Sequence, residues 1–417
     1  MISVLFQKKL VRTAAALAAV GTIAGVAAVG GSPAQADPQQ YTAPIYGFGS
    51  DTTQDVTNAF AGFSAGTNFV PLQSQPGNRQ LVSWDATGTT CISPKVGGPT
   101  ILRPNGSGNG QRFLSAANSP ATDTWPLGAN VNCGGPQNPQ GLIDFARSSS
   151  GPTINVTGPL AFIPFGRDAL SIAYIRPAGA AVVSITSTDI ALLHSAGPQL
   201  IAGVPVIACG IQTGSGTYIT WMEKLGLASN GTGDPGTATC NVVGPQGLPG
   251  VNGRVQENDG PELSAKAALL STMTNSICDG VAGGAAVACT NAQLIVGFSA
   301  SQYIARSNGV GTPNPGLEGN PAISGMGQIN GQQAVSGTVP TLVPVGAAYN
   351  TSFGRDVYNV VAFENIDIAN FTDVPYIVDM FVGTGSKVCS AGTRISQHGY
   401  LNIANCGSVT RGNYRLT

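Results

Sequence analysis

Apolar, strand-like segments alternate with helix-like segments along this chain, and that alternation restricts the possible folds more than any other feature. Residues 204–208, for example, form an apolar run that leads through a glycine-rich loop into a helical segment holding Trp221 and Leu225. Strands that alternate with helices are typical of α/β proteins, in which neighbouring strands often run parallel. The sequence therefore predicts an α/β fold with mostly parallel sheets.

Two segments in the middle of the chain carry more specific predictions. Residues 160–164 and 169–175 are apolar and predict two short strands, broken by residues 165–168. Residues 261–278 repeat apolar side chains at helical spacing and predict one long helix.

Four predicted strands end in a loop rich in glycine and in serine or threonine, and most of these loops open a helix. The loops span residues 49–53, 106–110, 146–150 and 214–217. Glycine lets a backbone approach a ligand closely, and the N–H groups at a helix start favour negative charge. Because ligands of open α/β sheets collect at the carboxyl ends of strands, the loops together predict a site for a small oxyanion or polyol. The alternative is that each loop is an ordinary turn that caps its helix.

The chain has eight cysteines, and an even number is typical of disulfide-bonded exported proteins. No Cys-x-x-Cys motif occurs and only two histidines are present, so we expect neither a zinc site nor a cofactor. Spacing alone leaves several pairings open. We expect sequential pairing, because each pair then spans one Gly- or Asn-rich stretch. The predicted pairs are Cys91–Cys133, Cys209–Cys240, Cys278–Cys289 and Cys389–Cys406.

The N-terminal segment has the order of regions found in a cleavable secretory signal. Lys8 and Arg12 precede an Ala-, Val- and Gly-rich run, and residues 34–36 form an A-x-A cleavage motif. We expect a signal peptide at residues 1–36, cleaved after Ala36, and a secreted mature chain. A transmembrane anchor is the alternative, because the apolar run is long enough to cross a bilayer.

The sequence after the leader predicts few other interactions. It has no further apolar run of membrane-spanning length, so we expect no transmembrane segment. No cysteine directly follows the leader, so we expect no lipid anchor and free release. Only 9% of residues are charged and the net charge is −1, which excludes a basic surface for nucleic acid. The 42% of hydrophobic residues predicts a folded rather than a disordered chain.

At the four loops the chain resembles the periplasmic-binding-protein type 2 fold, and within it the phosphate-binding proteins of ABC importers. The start, Gly47-Phe-Gly-Ser-Asp-Thr-Thr-Gln-Asp-Val56, is similar to an actinobacterial branch of these proteins. The loop order also agrees: a Gly-x-Gly start, Gly-Ser-Gly, Asp-Phe-x-x-Ser, and then Gly-Ser-Gly-Thr. Residues 296–299 and 355–361 resemble the returning strands of that family.

The resemblance implies two α/β lobes that close about a hinge over a ligand in the cleft. Residues 37–165 with 305–417 would form the first lobe, and residues 166–304 the second. The implied ligand is a small molecule, phosphate first, and the implied partner is an ABC permease. The missing lipid anchor instead favours a protein that works without an importer.

The ligand-binding residues that the resemblance implies come from all four loops. They are Ser50, Asp51, Thr52, Ser107, Arg147, Ser148, Ser149, Ser215, Gly216 and Thr217. Two positions depart from the family: its phosphate-binding arginine falls on Ile211, and its aspartate falls on Ser149. We expect Arg147 to supply the cation, with Arg103 and Arg167 as further candidates. Asp51 is expected either to cap a helix or to accept a proton from the ligand.

Two other function classes stay open. A hydrolase needs a base beside its nucleophile, and only His194 and His398 are available, so we expect no catalysis. A secreted surface or matrix protein that binds glycans or peptides would use exposed aromatic rings, for which Trp84, Tyr218 and Trp221 are the candidates.

Overall fold

The structure is a computed structural model, and the residues it describes belong to one compact unit. The described ranges are 44–63, 68–95, 97–119, 124–126, 133–242, 254–312, 317 and 323–415. The expected signal peptide, residues 1–36, lies outside these ranges and stays a prediction. Within them, no helix combines the length and the apolar character needed to cross a membrane.

Strands and helices alternate through the described chain, so the α/β class is confirmed. The strands are β1 Pro44–Gly49, β2 Gln80–Ser83, β3 Cys91–Ile92, β4 Ile101–Leu102, β5 Phe145–Ser148, β6 Leu160–Ile175, β7 Gln199–Ile201, β8 Val204–Ala208, β9 Thr274–Asn275, β10 Val287–Ala288, β11 Gln293–Ser299, β12 Ser324–Met326, β13 Gln328–Ile329, β14 Gln332–Gln333, β15 Val335–Ser336, β16 Val343–Pro344, β17 Gly354–Ala362 and β18 Thr410–Gly412. The helices are α1 Gln54–Phe60, α2 Ser107–Asn118, α3 Ser187–Ala196, α4 Gly216–Lys224, α5 Gly260–Ala268, α6 Ala300–Ser307, α7 Gly346–Tyr349, α8 Pro375–Phe381, α9 Lys387–Ser390 and α10 Gly392–Gln397.

One ten-stranded sheet organises the fold, in the order β2-β1-β5-β17-β6-β11-β8-β7, with β12 and β18 also paired to β6. The predicted parallel pairing occurs on both sides of the sheet, between β1 and β2, β1 and β5, and β8 and β11. The middle is antiparallel, because β17 runs against β5 and β6, and β11 runs against β6. The parallel pairs bring the carboxyl ends of β1 and β5 to one edge.

The prediction of two short strands broken at residues 165–168 is wrong, because β6 runs through these residues. It is one buried strand of 16 residues whose first part pairs with β17 and whose last part pairs with β11. The polar residues continue the strand because they find partners across it: Arg167 lies opposite Asp356, and Asp168 lies opposite Arg355. The interruption is only a change of register beside Phe165.

The prediction of one long helix over residues 261–278 is wrong, because α5 is shorter. It ends at Ala268, and a 3-10 turn, Leu270–Thr272, follows. Strand β9 then pairs with β10, and the Cys278–Cys289 disulfide links the two ends of this short segment. The apolar spacing persists because Leu270 and Met273 are still buried, although outside a helix.

All four predicted disulfides are confirmed. The paired Cα atoms lie 5.6 Å apart in Cys91–Cys133, 5.0 Å in Cys209–Cys240, 4.9 Å in Cys278–Cys289 and 5.8 Å in Cys389–Cys406. Each bridge contributes about 2–4 kcal/mol by restricting the unfolded chain.

Buried hydrophobic side chains form three clusters. One is built from residues between 169 and 353. The other two combine residues from 45–165 with residues from 357–400. Strand β6 joins the cores, because its first part packs in the latter two clusters and its last part packs in the first.

Candidate functional site

The first and third predicted loops, residues 49–53 and 146–150, meet because β1 and β5 are parallel neighbours, with Gly49 beside Arg147. Ser50 follows β1, and Ser149 follows β5. The Ser50 hydroxyl donates to Ser149 Oγ at 3.1 Å, and both side chains are buried. The pairing of the strands thus places two hydroxyl groups at one sheet edge.

The second loop, residues 106–110, adds Ser107, the first residue of α2. Its Oγ accepts from the Ser149 backbone N–H at 3.0 Å and lies 3.2 Å from Ser149 Oγ. Gly106 precedes it with φ of 86°, a conformation that favours glycine. A β-carbon on Gly106 would lie 2.6 Å from the Gly214 carbonyl oxygen. The glycine therefore lets the second and fourth loops touch.

The fourth loop places the N-terminus of α4 against these serines. A β-carbon on Gly216 would lie only 2.5 Å from Ser149 Oγ and would also clash with Ser107 Oγ. The next residue, Thr217, has its Oγ1 3.0 Å from Thr52 Oγ1. The five buried residues Ser50, Thr52, Ser107, Ser149 and Thr217 are called the hydroxyl cluster below. Its position at the starts of α2 and α4 favours negative charge.

A buried arginine supplies a cation beside the hydroxyl cluster. Arg355 Nη2 donates to Thr217 Oγ1 at 2.8 Å and to Thr52 Oγ1 at 3.2 Å. Its Nε and Nη2 also donate to Asp168 Oδ2, at 3.0 and 2.9 Å. Nη1 has no hydrogen-bond partner among the residues that the structure describes. Asp168 thus orients the guanidinium and balances its charge.

A carboxylate lies in the middle of this arrangement. Glu257 Oε1 accepts from Thr52 Oγ1 at 2.9 Å, from the Thr217 N–H at 3.2 Å and from Ser149 Oγ at 3.5 Å. The residue is only 1% exposed. Its second oxygen, Oε2, finds no hydrogen-bond partner within the described part of the chain. Three donors from three loops therefore converge on one anionic oxygen.

Asp51 lies next to the hydroxyl cluster, and Asn258 Nδ2 connects its carboxylate with Thr52 Oγ1. Its Oδ2 accepts from Asn258 Nδ2 at 3.1 Å and from Arg306 Nη2 at 3.3 Å. Burial raises the pKa of Asp51 to about 7; Arg306 opposes that shift and Glu257 adds to it. The N-cap of α1 is Thr53, without a side-chain capping bond. The prediction that Asp51 caps this helix is therefore wrong.

Arg147 is buried beside the first loop, and its guanidinium faces backbone carbonyl groups. Nε donates to the Ser50 oxygen at 3.1 Å, Nη1 to the Trp84 oxygen at 2.6 Å, and Nη2 to the Gly49 oxygen at 3.4 Å. Nη1 also donates to the Ser83 hydroxyl. Burial lowers the pKa of Arg147 to about 10. These bonds hold the first loop against β5.

Two predicted serines are engaged in local hydrogen bonds. Ser148 Oγ donates to the Ser150 carbonyl at 2.7 Å and accepts from Gln111 Nε2 at 2.8 Å. Ser215 Oγ accepts from the Tyr218 N–H at 2.9 Å, so it caps α4. Both serines support the loops that carry the hydroxyl cluster.

The other positions that the sequence singled out lie apart from the cluster. Arg103 Nη1 donates to the Asp85 carbonyl at 2.9 Å. Arg167 pairs with Asp356 at 2.8 Å and remains partly exposed. Ile211, where the resembled family has its arginine, is buried in the core.

The residues considered for other functions pack in the interior. His194 Nε2 accepts from Trp221 Nε1 at 3.0 Å, and burial lowers the pKa of His194 to about 4. His398 is also buried, as are Trp84 and Tyr218. No group of three or more His, Cys, Asp or Glu side chains that could hold a metal ion occurs among the described residues.

No protein-family model matches the chain, and no curated protein matches it. Several solved structures are similar to it at low identity. One, from Clostridium perfringens, is described as a phosphate ABC transporter substrate-binding protein with bound phosphate; it is 11% identical, with 86% of this chain and 99% of that chain covered and a TM-score of 0.44. A phosphate-binding protein from Stenotrophomonas maltophilia is 14% identical, with 88% and 92% covered and a TM-score of 0.38. A high-affinity periplasmic phosphate-binding protein, PfluDING, is 12% identical, with 87% and 91% covered and a TM-score of 0.40. These are proteins of the kind that the four loops resemble, whereas the actinobacterial branch stays a prediction.

Two residues at the center of the site were not among the predicted ligands, namely Arg355 and Glu257. Arg355 belongs to a Gly-Arg-Asp triplet that is repeated at residues 166–168, and antiparallel pairing of two such triplets would set arginine opposite aspartate. That repeat is a signal by which Arg355 and Asp168 can be found. Glu257 has no comparable signal, because it reaches the cluster only through the folded chain.

Proposed function

We propose that this chain is a solute-binding protein that captures a small oxyanion, phosphate first, at the hydroxyl cluster. The observation that carries the proposal is the convergence on Glu257 Oε1. A threonine hydroxyl, a serine hydroxyl and the Thr217 N–H all donate to that oxygen. The carboxylate stands in for an oxyanion and marks where one would be held.

The surrounding charge supports the same proposal. Arg355 donates to both threonines of the cluster, and the starts of α2 and α4 direct their positive ends toward it. Hydrogen bonds from ionised donors and to ionised acceptors are roughly twice as strong as neutral ones. A buried oxyanion would therefore be paired by a guanidinium, by hydroxyl groups and by backbone N–H groups together.

Phosphate is the first candidate because the loops that supply the hydroxyl groups are those that resemble the phosphate-binding family. We propose Arg355 as the cation in place of the arginine that Ile211 replaces. An ABC permease is the proposed partner if the protein serves import. The four disulfides fit the oxidising compartment of an exported protein. Binding rather than catalysis is proposed, because both histidines are buried away from the cluster.

We also propose two lobes that close on the solute. The separate hydrophobic cores support a division that crosses β6 and the chain just before β17. In that division residues 305–353 join the second lobe, because their buried side chains pack with residues 169–304. The bond from Gly108 N to the Gly214 oxygen, at 3.1 Å, would then link the two lobes in a closed form.

Phosphate titration of protein stripped of ligand by unfolding and refolding tests the proposal. Phosphate at about 100 times its Kd should raise the unfolding free energy by about 2.7 kcal/mol, with a matching rise in melting temperature. Ser107→Ala and Thr217→Val each remove one hydroxyl group of the cluster and should weaken binding about tenfold.

Ser171→Ala is the matched control, because Ser171 is a buried serine whose hydroxyl donates to the Gly327 carbonyl, outside the cluster. Its phosphate affinity should equal that of the wild type. If millimolar phosphate, sulfate and arsenate all leave the melting temperature unchanged, the oxyanion proposal fails while the fold stands.

A further inference from the structure

We infer that Glu257 is an internal ligand of the hydroxyl cluster, which a solute must displace before it can bind. The inference rests on the proposed function and adds to it the residue that limits affinity at the site. Nothing in the loop pattern requires a carboxylate at this place, yet one is buried there with three donors on a single oxygen.

The competition follows from the number of hydrogens available. The Thr217 N–H has one hydrogen, and the Thr52 and Ser149 hydroxyl groups have one each. All three groups are directed at Glu257 Oε1. An oxyanion that accepts these same hydrogens must take the place of Oε1, because one hydrogen does not serve two acceptors at full strength.

The internal ligand satisfies the site only in part. Glu257 Oε2 is buried without a hydrogen-bond partner among the described residues, and so is Arg355 Nη1. A buried polar atom without a partner is unfavourable. A tetrahedral oxyanion carries more acceptor oxygens than the single one that Glu257 engages. The cluster can therefore bind a solute in preference to its own carboxylate.

Backbone bonds of Val255 anchor the segment that carries Glu257, and side-chain bonds attach it to the loops. Gln256 and Asn105 donate to each other through their amides, both at 3.2 Å. Asn258 reaches Thr52 Oγ1 at 3.2 Å and has a φ of 55°, a left-handed conformation that asparagine tolerates. These side-chain contacts hold the segment over the first and second loops. Displacing Glu257 exchanges bonds of this kind, while the backbone bonds of Val255 can stay in place.

Calorimetric titration with inorganic phosphate, on the full disulfide-bonded protein, tests the inference. Glu257→Gln keeps the shape but removes the charge of the internal ligand, and Glu257→Ala removes the ligand itself. We expect the Kd for phosphate to fall about tenfold in Glu257→Gln and further in Glu257→Ala, because charge-assisted hydrogen bonds no longer compete. Glu223→Gln, on the exposed face of α4, is the control and should bind as the wild type does.

Each outcome decides between the inference and the function on which it rests. Tighter binding by the Glu257 variants supports both, including the case in which only the variants bind. Equal binding by wild type and variants overturns the inference and leaves the oxyanion site intact. Weaker binding by the variants also overturns it, because Glu257 would then help to hold the solute. Loss of phosphate binding in every protein rejects the proposed function itself.

Hydrogen exchange provides a second measurement that does not depend on affinity. If phosphate displaces Glu257, amides of residues 256–259 should exchange faster after phosphate is added, while those at the start of α4 become more protected. Unchanged exchange in residues 256–259, with phosphate bound, would contradict displacement. Circular dichroism and melting temperature of each variant establish that it is folded.

Discussion

Replacing Asp51 by asparagine tests the electrostatic environment beside the hydroxyl cluster. Burial raises the pKa of this carboxyl from 3.8 to about 7 in the folded protein. Between these values the folded protein keeps a proton that the unfolded chain has released. The resulting stabilisation is present in full below the unfolded pKa and is lost as the pH rises through the folded pKa. As the pH rises through this range, the wild type should therefore lose unfolding free energy because Asp51 ionises.

The size of the effect follows from the shift. One pKa unit corresponds to about 1.4 kcal/mol, so a rise from 3.8 to about 7 corresponds to about 4 kcal/mol over the full range. Between about pH 4.5 and about pH 8, which are convenient end points, the contribution falls by about 3 kcal/mol. Asp51→Asn has no titrating group there and should lack this fall.

Urea unfolding at both pH values, with the disulfides intact, measures the difference. The stability of wild type relative to Asp51→Asn should drop by about 3 kcal/mol from the lower to the higher pH. Asp279→Asn, which changes an exposed aspartate, is the control and should follow the wild type. Parallel profiles for wild type and Asp51→Asn would refute the reasoning, because Asp51 would then titrate alike in the folded and unfolded states.

Two further predictions concern the backbone and the ion pairs of the site. Gly216→Ala should cost about 1–3 kcal/mol in unfolding free energy and weaken phosphate binding, because its β-carbon would overlap the cluster hydroxyl groups; wild-type values for both would show that α4 is not held against the serines. Asp168→Asn should cost about 3–5 kcal/mol by leaving Arg355 buried without its partner, whereas Asp356→Asn, at a partly exposed pair, should cost less than about 1 kcal/mol. If denaturant unfolding shows the same loss of unfolding free energy for both variants, Asp168 is not the buried partner on which Arg355 depends.

Local pattern was enough to find much of the hydroxyl cluster. Each loop follows an apolar strand and carries glycine with serine or threonine, so the sequence predicts both its position and its donors. Ser50, Ser107, Ser149 and Thr217 come together because parallel strands and helix starts share one edge of the sheet. The disulfides were predictable for a similar reason, since each closes one local loop.

Charged residues were harder to predict because their partners are distant in sequence. Arg147 lies near the end of β5, in one of the predicted loops, but carbonyl groups of the first loop accept its hydrogen bonds. Arg355 supplies the cation instead, and it does so because β17 runs antiparallel to β6 and meets Asp168. A repeated Gly-Arg-Asp triplet hints at that pairing, but only once the two strands are known to be neighbours.

Glu257 was not predictable, because the segment that carries it has no helical or strand pattern. Its neighbours Gln256 and Asn258 hold it in place by contacts with Asn105 and Thr52. Each of these two contacts joins residues more than 150 positions apart in the sequence. The length of α5 was mispredicted for a related reason. The pairing of β9 with β10 and the Cys278–Cys289 disulfide outweigh helical propensity there.

An oxyanion bound at the hydroxyl cluster would be directly visible in a crystal structure grown with arsenate. Arsenate has the shape and charge of phosphate, and its anomalous scattering marks its position. We expect an arsenic peak at the cluster, with arsenate oxygens within hydrogen-bonding distance of the Thr217 N–H and the Thr52 and Ser149 hydroxyl groups, and with the Glu257 carboxylate moved away. An empty cluster with Glu257 still bound to these donors, or arsenate only elsewhere on the protein, would exclude an oxyanion site at the cluster.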